Sequence, residues 1–246
     1  MENLERNSTI NKTNRSLWLE LFKVFLFVGV VFIHVENRGY LIYLSRIAVP
    51  MFFVISGCYW YSPIRENESD SEYYQRKLKS AKNKIISMMK YLAFGFLLYY
   101  IADVVYGFII GANLAQIYKG FFISDPLYQM FIVNHVNNSG DHMWFLLALF
   151  TISIIHYLLV RFKIEKAHFF LPLIIIIFFF FGVYMYFYEG DIIWGEKIRN
   201  GIFFGLPCFS LGFTVHYLTN KFIKTKAQKI VVACISLPLA CLLFFL

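Results

Sequence analysis

Seven runs of nearly unbroken apolar sequence divide this chain: Leu17 to Val35, Leu41 to Tyr61, Ile85 to Ile110, Met143 to Val160, His168 to Tyr188, Gly201 to Thr219 and Ile230 to Leu246. Each is close to the ~20 residues that carry a helix across the hydrocarbon core of a bilayer. No water is available there, so a spanning segment must satisfy its own backbone, and a helix does so. The expected fold is all-α: a polytopic transmembrane helical bundle of about seven spans over residues 17–246, behind a polar tail of residues 1–16. Composition excludes the alternatives. The chain is 59% hydrophobic and 15% charged, against about 45–50% and about 25% in soluble domains. A soluble globular enzyme, a disordered chain and a disulfide scaffold are all ruled out.

The formal charge is +8, from 23 Lys and Arg against 15 Asp and Glu. No basic domain lies outside the apolar runs, so this excess reads as a topology signal and not as nucleic-acid binding. Sixteen of these cations fall on one side of the expected spans, in the tail and around Arg65 to Lys84, Arg161 to Lys166 and Lys221 to Lys229. Five fall on the other: Arg38, Arg46, Lys119, Lys197 and Arg199. The positive-inside rule then puts the N-terminal tail in the cytoplasm, and an odd number of spans puts Leu246 outside. The tail is too polar for a signal peptide. Cys58, Cys208, Cys234 and Cys241 all lie in apolar runs without a C-x-x-C pair, as buried free thiols do. The segment from Gly111 to Asp141 is long for a connector, and such loops are often functional.

Ionisable residues inside a span are costly and mark sites by default. Span one carries Glu20, Lys23 and His34. Glu20 and Lys23 are three apart and share a helix face. Lys23 and His34 are eleven apart, or three turns plus roughly 20°, so they point the same way about 16 Å apart along the axis. One face thus offers a cation toward the cytoplasm and a titratable imidazole toward the outside. One reading is that Lys23 snorkels inward and His34 marks the outer interface. The other is group transfer across the membrane, with phosphates of a donor meeting Lys23 and an acceptor hydroxyl meeting His34 as general base. Asp103 and Lys90 in span three are expected to face the bundle. His156 and His216 near cytoplasmic ends read as structural, and His135 and His168 carry no claim. Pro50 and Ser56-Gly57 in span two fit close helix packing, and Trp144 fits an interfacial belt. No His, Asp or Glu cluster has metal-ligand spacing, so no metal is expected.

Three segments resemble the type-3 membrane acyltransferases, multi-pass O-acetyltransferases of surface sugars. The first is Glu20-Leu-Phe-Lys23 followed by Phe32-Ile33-His34. The second, and most specific, is Arg46-Ile-Ala-Val-Pro-Met-Phe-Phe-Val-Ile-Ser56-Gly57. The third is Met143-Trp144-Phe145-Leu146, and a weaker fourth runs from Arg199 to Gly212. Their order matches the family across Arg15 to Gly212. The resemblance implies that residues 17–246 are a transmembrane acyltransferase-like domain in the plasma membrane, bacterial by kind. It implies an acyl-CoA co-substrate, acetyl-CoA above all, no tightly bound cofactor, and an extracytoplasmic glycan or lipid-linked sugar as acceptor. Carried over by position, His34 is the catalytic histidine, and Lys23 stands where the family has its donor-binding arginine. Glu20 holds that cation, with Arg76 in the basic stretch assisting. Arg46, Ser56, Trp144 and Arg199 are the expected acceptor-side residues. Lys for Arg loses the bidentate fork but keeps the charge. Family members usually have about ten spans, more than the seven apolar runs here supply, so the chain reads as a truncated member.

The expected function is an O-acyltransferase acting on a cell-envelope glycan. Two alternatives stand beside it: a serine-supply or transport module like the membrane half of the vancomycin-resistance serine racemases, and an inactive remnant of a longer enzyme.

Overall fold

The computed structural model describes residues 17–33, 48–113, 143–174, 177, 181 and 201–222. Among them every regular element is helical. The helices are α1 (Leu17–Ile33), α2 (Ala48–Trp60), α3 (Asp70–Ile109), α4 (Trp144–Arg161) and α5 (Leu206–Phe222). A 3-10 turn (Glu165–Phe169) follows α4, and a π-helical turn (Gly201–Gly205) leads into α5. Pro207 has no N–H to return to Phe203, which is where a wider turn relieves the ladder. Among the described residues, three helices are long and apolar enough to cross a membrane: Asp70–Ile109, Trp144–Arg161 and the continuous Gly201–Phe222. The chain is a helical membrane protein.

The chain divides into two compact units, residues 1–52 with 230–246, and residues 53–229. In the first, α1 is apolar except for Glu20 and Lys23, whose Nζ and Oε1 lie 3.1 Å apart. The spacing argument for that pair holds.

In the second unit, α3 runs 40 residues, or about 60 Å at 1.5 Å per residue, twice the hydrocarbon thickness. It starts 15 residues before the apolar run expected from hydropathy. Ser69 and Glu72 form a capping box, each side chain accepting from the other's backbone N–H, and Asp70 and Glu72 complement the helix dipole. The basic stretch from Arg76 to Lys84, expected between spans, is therefore a rigid polar extension of a spanning helix. From Tyr91 onward that helix exposes Phe94, Leu97, Leu98, Ile101, Val105 and Phe108, a surface suited to lipid and far larger than a soluble fold leaves bare. Lys90 is exposed and Asp103 half-buried, so Lys90 does not face the bundle as expected.

Helix α4 packs along α3 through Leu92, Met143 and Leu147. Phe53, fully buried on α2, sits among the rings of Phe145 (4.7 Å), Trp144 (6.2 Å) and Phe204 (6.4 Å). Cys208 is buried and Cys58 half-buried; the Cys58 thiol donates to the Gly212 carbonyl at 3.2 Å. The expected helix from His168 begins instead as a 3-10 turn with His168 wholly buried. The loop at residues 114–142, most of span five and all of span seven lie outside the described residues.

Candidate functional site

The polar half of α3 faces the end of α2 and α4 across a cavity of about 270 Å³. Trp60, Ser62, Arg65, Arg76, Lys77, Ser80, Ala81, Lys84 and His156 line it. A more open groove of about 620 Å³ shares Arg65 and Arg76 with it. Four cations converge here, and the described lining residues of the cavity include no carboxylate.

The cations are not equivalent. Arg76 is committed to shaping the wall. Its Nε donates to Glu68 Oε1 at 2.6 Å, and Nη2 donates to Glu68 Oε2 at 2.7 Å and to the Pro63 carbonyl at 2.9 Å. A further N–H goes to the Ser62 hydroxyl. This fork pins the connector between α2 and α3, which turns through Asn67 at φ 62°. Lys77 is 4% exposed. It donates to the Glu165 carboxylate and, at 2.9 Å, to the Tyr73 hydroxyl, which itself donates to Glu165 at 3.1 Å. That cluster ties α3 to the 3-10 turn. Lys84 has no acidic partner among the described residues; its ammonium lies 4.2 Å from the centroid of the Trp60 ring. Lys84 is half-buried, with the Trp60 ring against it and the like charge of Lys77 nearby, so an anion entering the cavity would relieve that repulsion.

The guanidinium of Arg76 holds the Glu68 carboxyl down, from 4.5 to about 2. A depressed carboxylate stabilises the fold fully above its unfolded value and loses that contribution as pH falls toward the folded one. The thermal midpoint of the wild type should therefore fall more steeply between about pH 5 and about pH 3 than that of Glu68→Gln, which has no carboxylate to titrate. Parallel slopes would mean that the clamp contributes nothing.

His156 closes the cavity from α4 and is 3% exposed. Its Nδ1 lies 3.0 Å from His168 Nε2, and His168 Nδ1 lies 2.8 Å from Ser210 Oγ on α5. His168 and Ser210 are wholly buried. The Trp60, Phe209 and Phe213 rings surround the pair, with centroids 5.3, 5.9 and 6.0 Å from that of His156. On sequence alone His156 reads as structural, and His168 carries no claim. The rule applied to His34, that an ionisable group inside a span marks a site, was the signal available for His156 as well.

Of the residues singled out from sequence, Glu20 and Lys23 pair on α1. Arg76 lines the cavity, Ser56 is half-buried on α2, and Trp144 opens α4 beside Phe53. His34, Arg46 and Arg199 lie outside the described residues. No group of three His, Cys, Asp or Glu that could hold a metal stands among the described residues.

A family model described as an acyltransferase domain matches residues 16–246. No curated protein and no solved structure matches the chain.

Proposed function

The chain belongs to the type-3 acyltransferase family, whose model covers it from residue 16 to residue 246, and on that premise we propose that it moves an acyl group, acetyl by preference, from acyl-CoA at the cytoplasmic face to a hydroxyl of an extracytoplasmic cell-envelope glycan. A membrane acyltransferase needs a donor and an acceptor. The donor reading is supported by one observation above the rest: Lys84, sheltered against Trp60 without an acidic partner among the described residues, in a cavity that also holds Arg65, Arg76 and Lys77. CoA carries phosphates, and a low-dielectric cationic pocket suits them. Lys23 is the donor cation that the family pattern assigns; Lys84 is the one that the cavity offers.

The acceptor chemistry rests on His34. Its neutral imidazole takes the proton of the acceptor hydroxyl, the oxygen attacks the acyl carbonyl carbon, and the carbon–sulfur bond breaks to release CoA thiolate. Arg46 or Arg199 stabilises the developing oxyanion or binds an acidic sugar.

Calorimetry of acetyl-CoA with the purified chain in detergent tests the donor half. The intact chain should bind, and Lys84→Met and Lys23→Ala should each weaken binding by about tenfold or more, the worth of one charge-assisted contact. No binding by the intact chain would overturn the donor reading, and serine uptake into vesicles would then be the reading to test.

A further inference from the structure

The buried chain of Ser210, His168 and His156 has no part in the scheme above, yet it ends in the cationic cavity. Serines and threonines inside helices commonly turn back on their own backbone, as Thr151 does to the Leu147 carbonyl at 3.0 Å and Ser153 to that of Leu149 at 2.6 Å. Ser210 instead lies against His168. Each imidazole has two nitrogens, one a donor and one an acceptor when the ring is neutral. Such a chain can therefore be polarised in only two ways. In the first, the Ser210 hydroxyl donates to His168 Nδ1, His168 Nε2–H donates to His156 Nδ1, and His156 carries its proton on Nε2. In the second, every proton is reversed and Nε2 of His156 is a bare acceptor. His156 Nδ1 is occupied by His168, so Nε2 is the nitrogen left to serve the cavity that this residue lines. An acceptor there would repel a phosphate; a donor would bind one.

We propose that His156 is a ligand for phosphoryl oxygens in the cationic cavity: an anion there selects the first polarisation, with the proton on His156 Nε2, and the His168–Ser210 pair, as positioning residues, satisfies the nitrogens behind it. The proposal rests on the reading of this cavity as the donor-phosphate site and names the group that reads the phosphate beside Lys84. A lysine supplies a charge without direction, whereas an imidazole whose ring is held by a buried partner on its other nitrogen supplies one oriented hydrogen bond. The site thereby selects an anion by position as well as by charge.

The test uses the purified full chain in detergent with ¹⁵N-labelled histidine, inorganic pyrophosphate as the probe, and His156→Asn to assign the signals. Pyrophosphate should leave His156 protonated at Nε2 and unprotonated at Nδ1. Ser210→Ala leaves His168 Nδ1 without its partner and should weaken pyrophosphate about threefold, as expected for one neutral hydrogen bond, and His156→Phe about tenfold. A merely structural histidine pair would not move its nitrogens with the anion. Pyrophosphate binding with the His156 proton on Nδ1, or with its signals unmoved, overturns the proposal. If His156 responds to pyrophosphate but CoA fails to displace it, the anion site stands and the donor reading of the cavity falls. If CoA binds through Lys84 while His156 is indifferent, the proposal falls and the donor reading stands. Absence of any response to either ligand overturns both.

Discussion

Replacing His34 with alanine should leave acetyl-CoA binding at its wild-type value and lower transfer of labelled acetyl to glycan by about 10²–10⁴-fold, the usual contribution of a positioned general base. The separation of the two effects is the informative part. Lys23 and His34 lie eleven residues apart in sequence, a spacing worth about 16 Å on an ideal helix, so the proposed scheme gives the donor's phosphates and the acceptor's proton to different groups. Lys23→Ala should accordingly raise KM for acetyl-CoA more than it lowers kcat, and His34→Ala should do the reverse. A Lys23→Arg variant restores the guanidinium of the family pattern and should bind the donor at least as tightly, because the fork gains a second parallel hydrogen bond to phosphate. Full transfer activity in His34→Ala would refute the catalytic assignment, whatever the donor-binding measurements gave.

What the sequence made legible follows from what the membrane selects. Lipid imposes composition over a whole span, so the ends of α4 came within one residue of the expected Met143 to Val160, and α1 begins at the expected Leu17. The start of α3 obeys a different rule. Its first 15 residues are polar, so hydropathy is silent there, and only the local pattern Ser69-x-x-Glu72 announces the helix. The Glu20–Lys23 pair was legible because both residues lie on one helix, where spacing fixes the geometry. The histidine chain was not. His156, His168 and Ser210 are 12 and 42 residues apart along it and come from three separate elements. No periodicity relates them, and each alone looks like an isolated polar residue. Lys84 was one basic residue among several in sequence; only the packing of Trp60 against it sets it apart.

Alanine at Gly57 or Gly212 should destabilise the fold, against the ordinary expectation that Gly→Ala in a helix gains about 1 kcal/mol from propensity. The two glycines mark where α2 crosses α5. A Cβ on Gly57 would sit 1.9 Å from the Phe209 carbonyl oxygen, and a Cβ on Gly212 1.9 Å from that of Val54. Both obstacles are helix backbone, which cannot rotate away as a side chain can. Ordinary contact begins near 3.4 Å, so the helices must separate by about 1.5 Å, and van der Waals contact is what holds helices together where lipid is as apolar as they are. Separation would also loosen the Cys58–Gly212 contact and the packing of Trp60 against Phe209, whose ring centroids are 5.2 Å apart. The expected cost is about 1–3 kcal/mol for each variant, at the upper end because backbone and not side chain must yield. Gly95→Ala is the control, since its Cβ would meet only the end of the Met143 side chain, Cε at 2.6 Å and Sδ at 3.0 Å, and a flexible thioether shifts at little cost. The double variant should cost less than the two single losses together, because one bulky residue already forces the helices apart and the second enters space the first has opened. Thermal unfolding in detergent, followed by tryptophan fluorescence, reads all four. Midpoints for Gly57→Ala and Gly212→Ala equal to that of Gly95→Ala would show that the crossing is not as close as these distances make it. Lowered midpoints would tie Trp60, and with it the wall against Lys84, to the approach of Gly57 to Phe209 and of Gly212 to Val54, which only a helix crossing brings together.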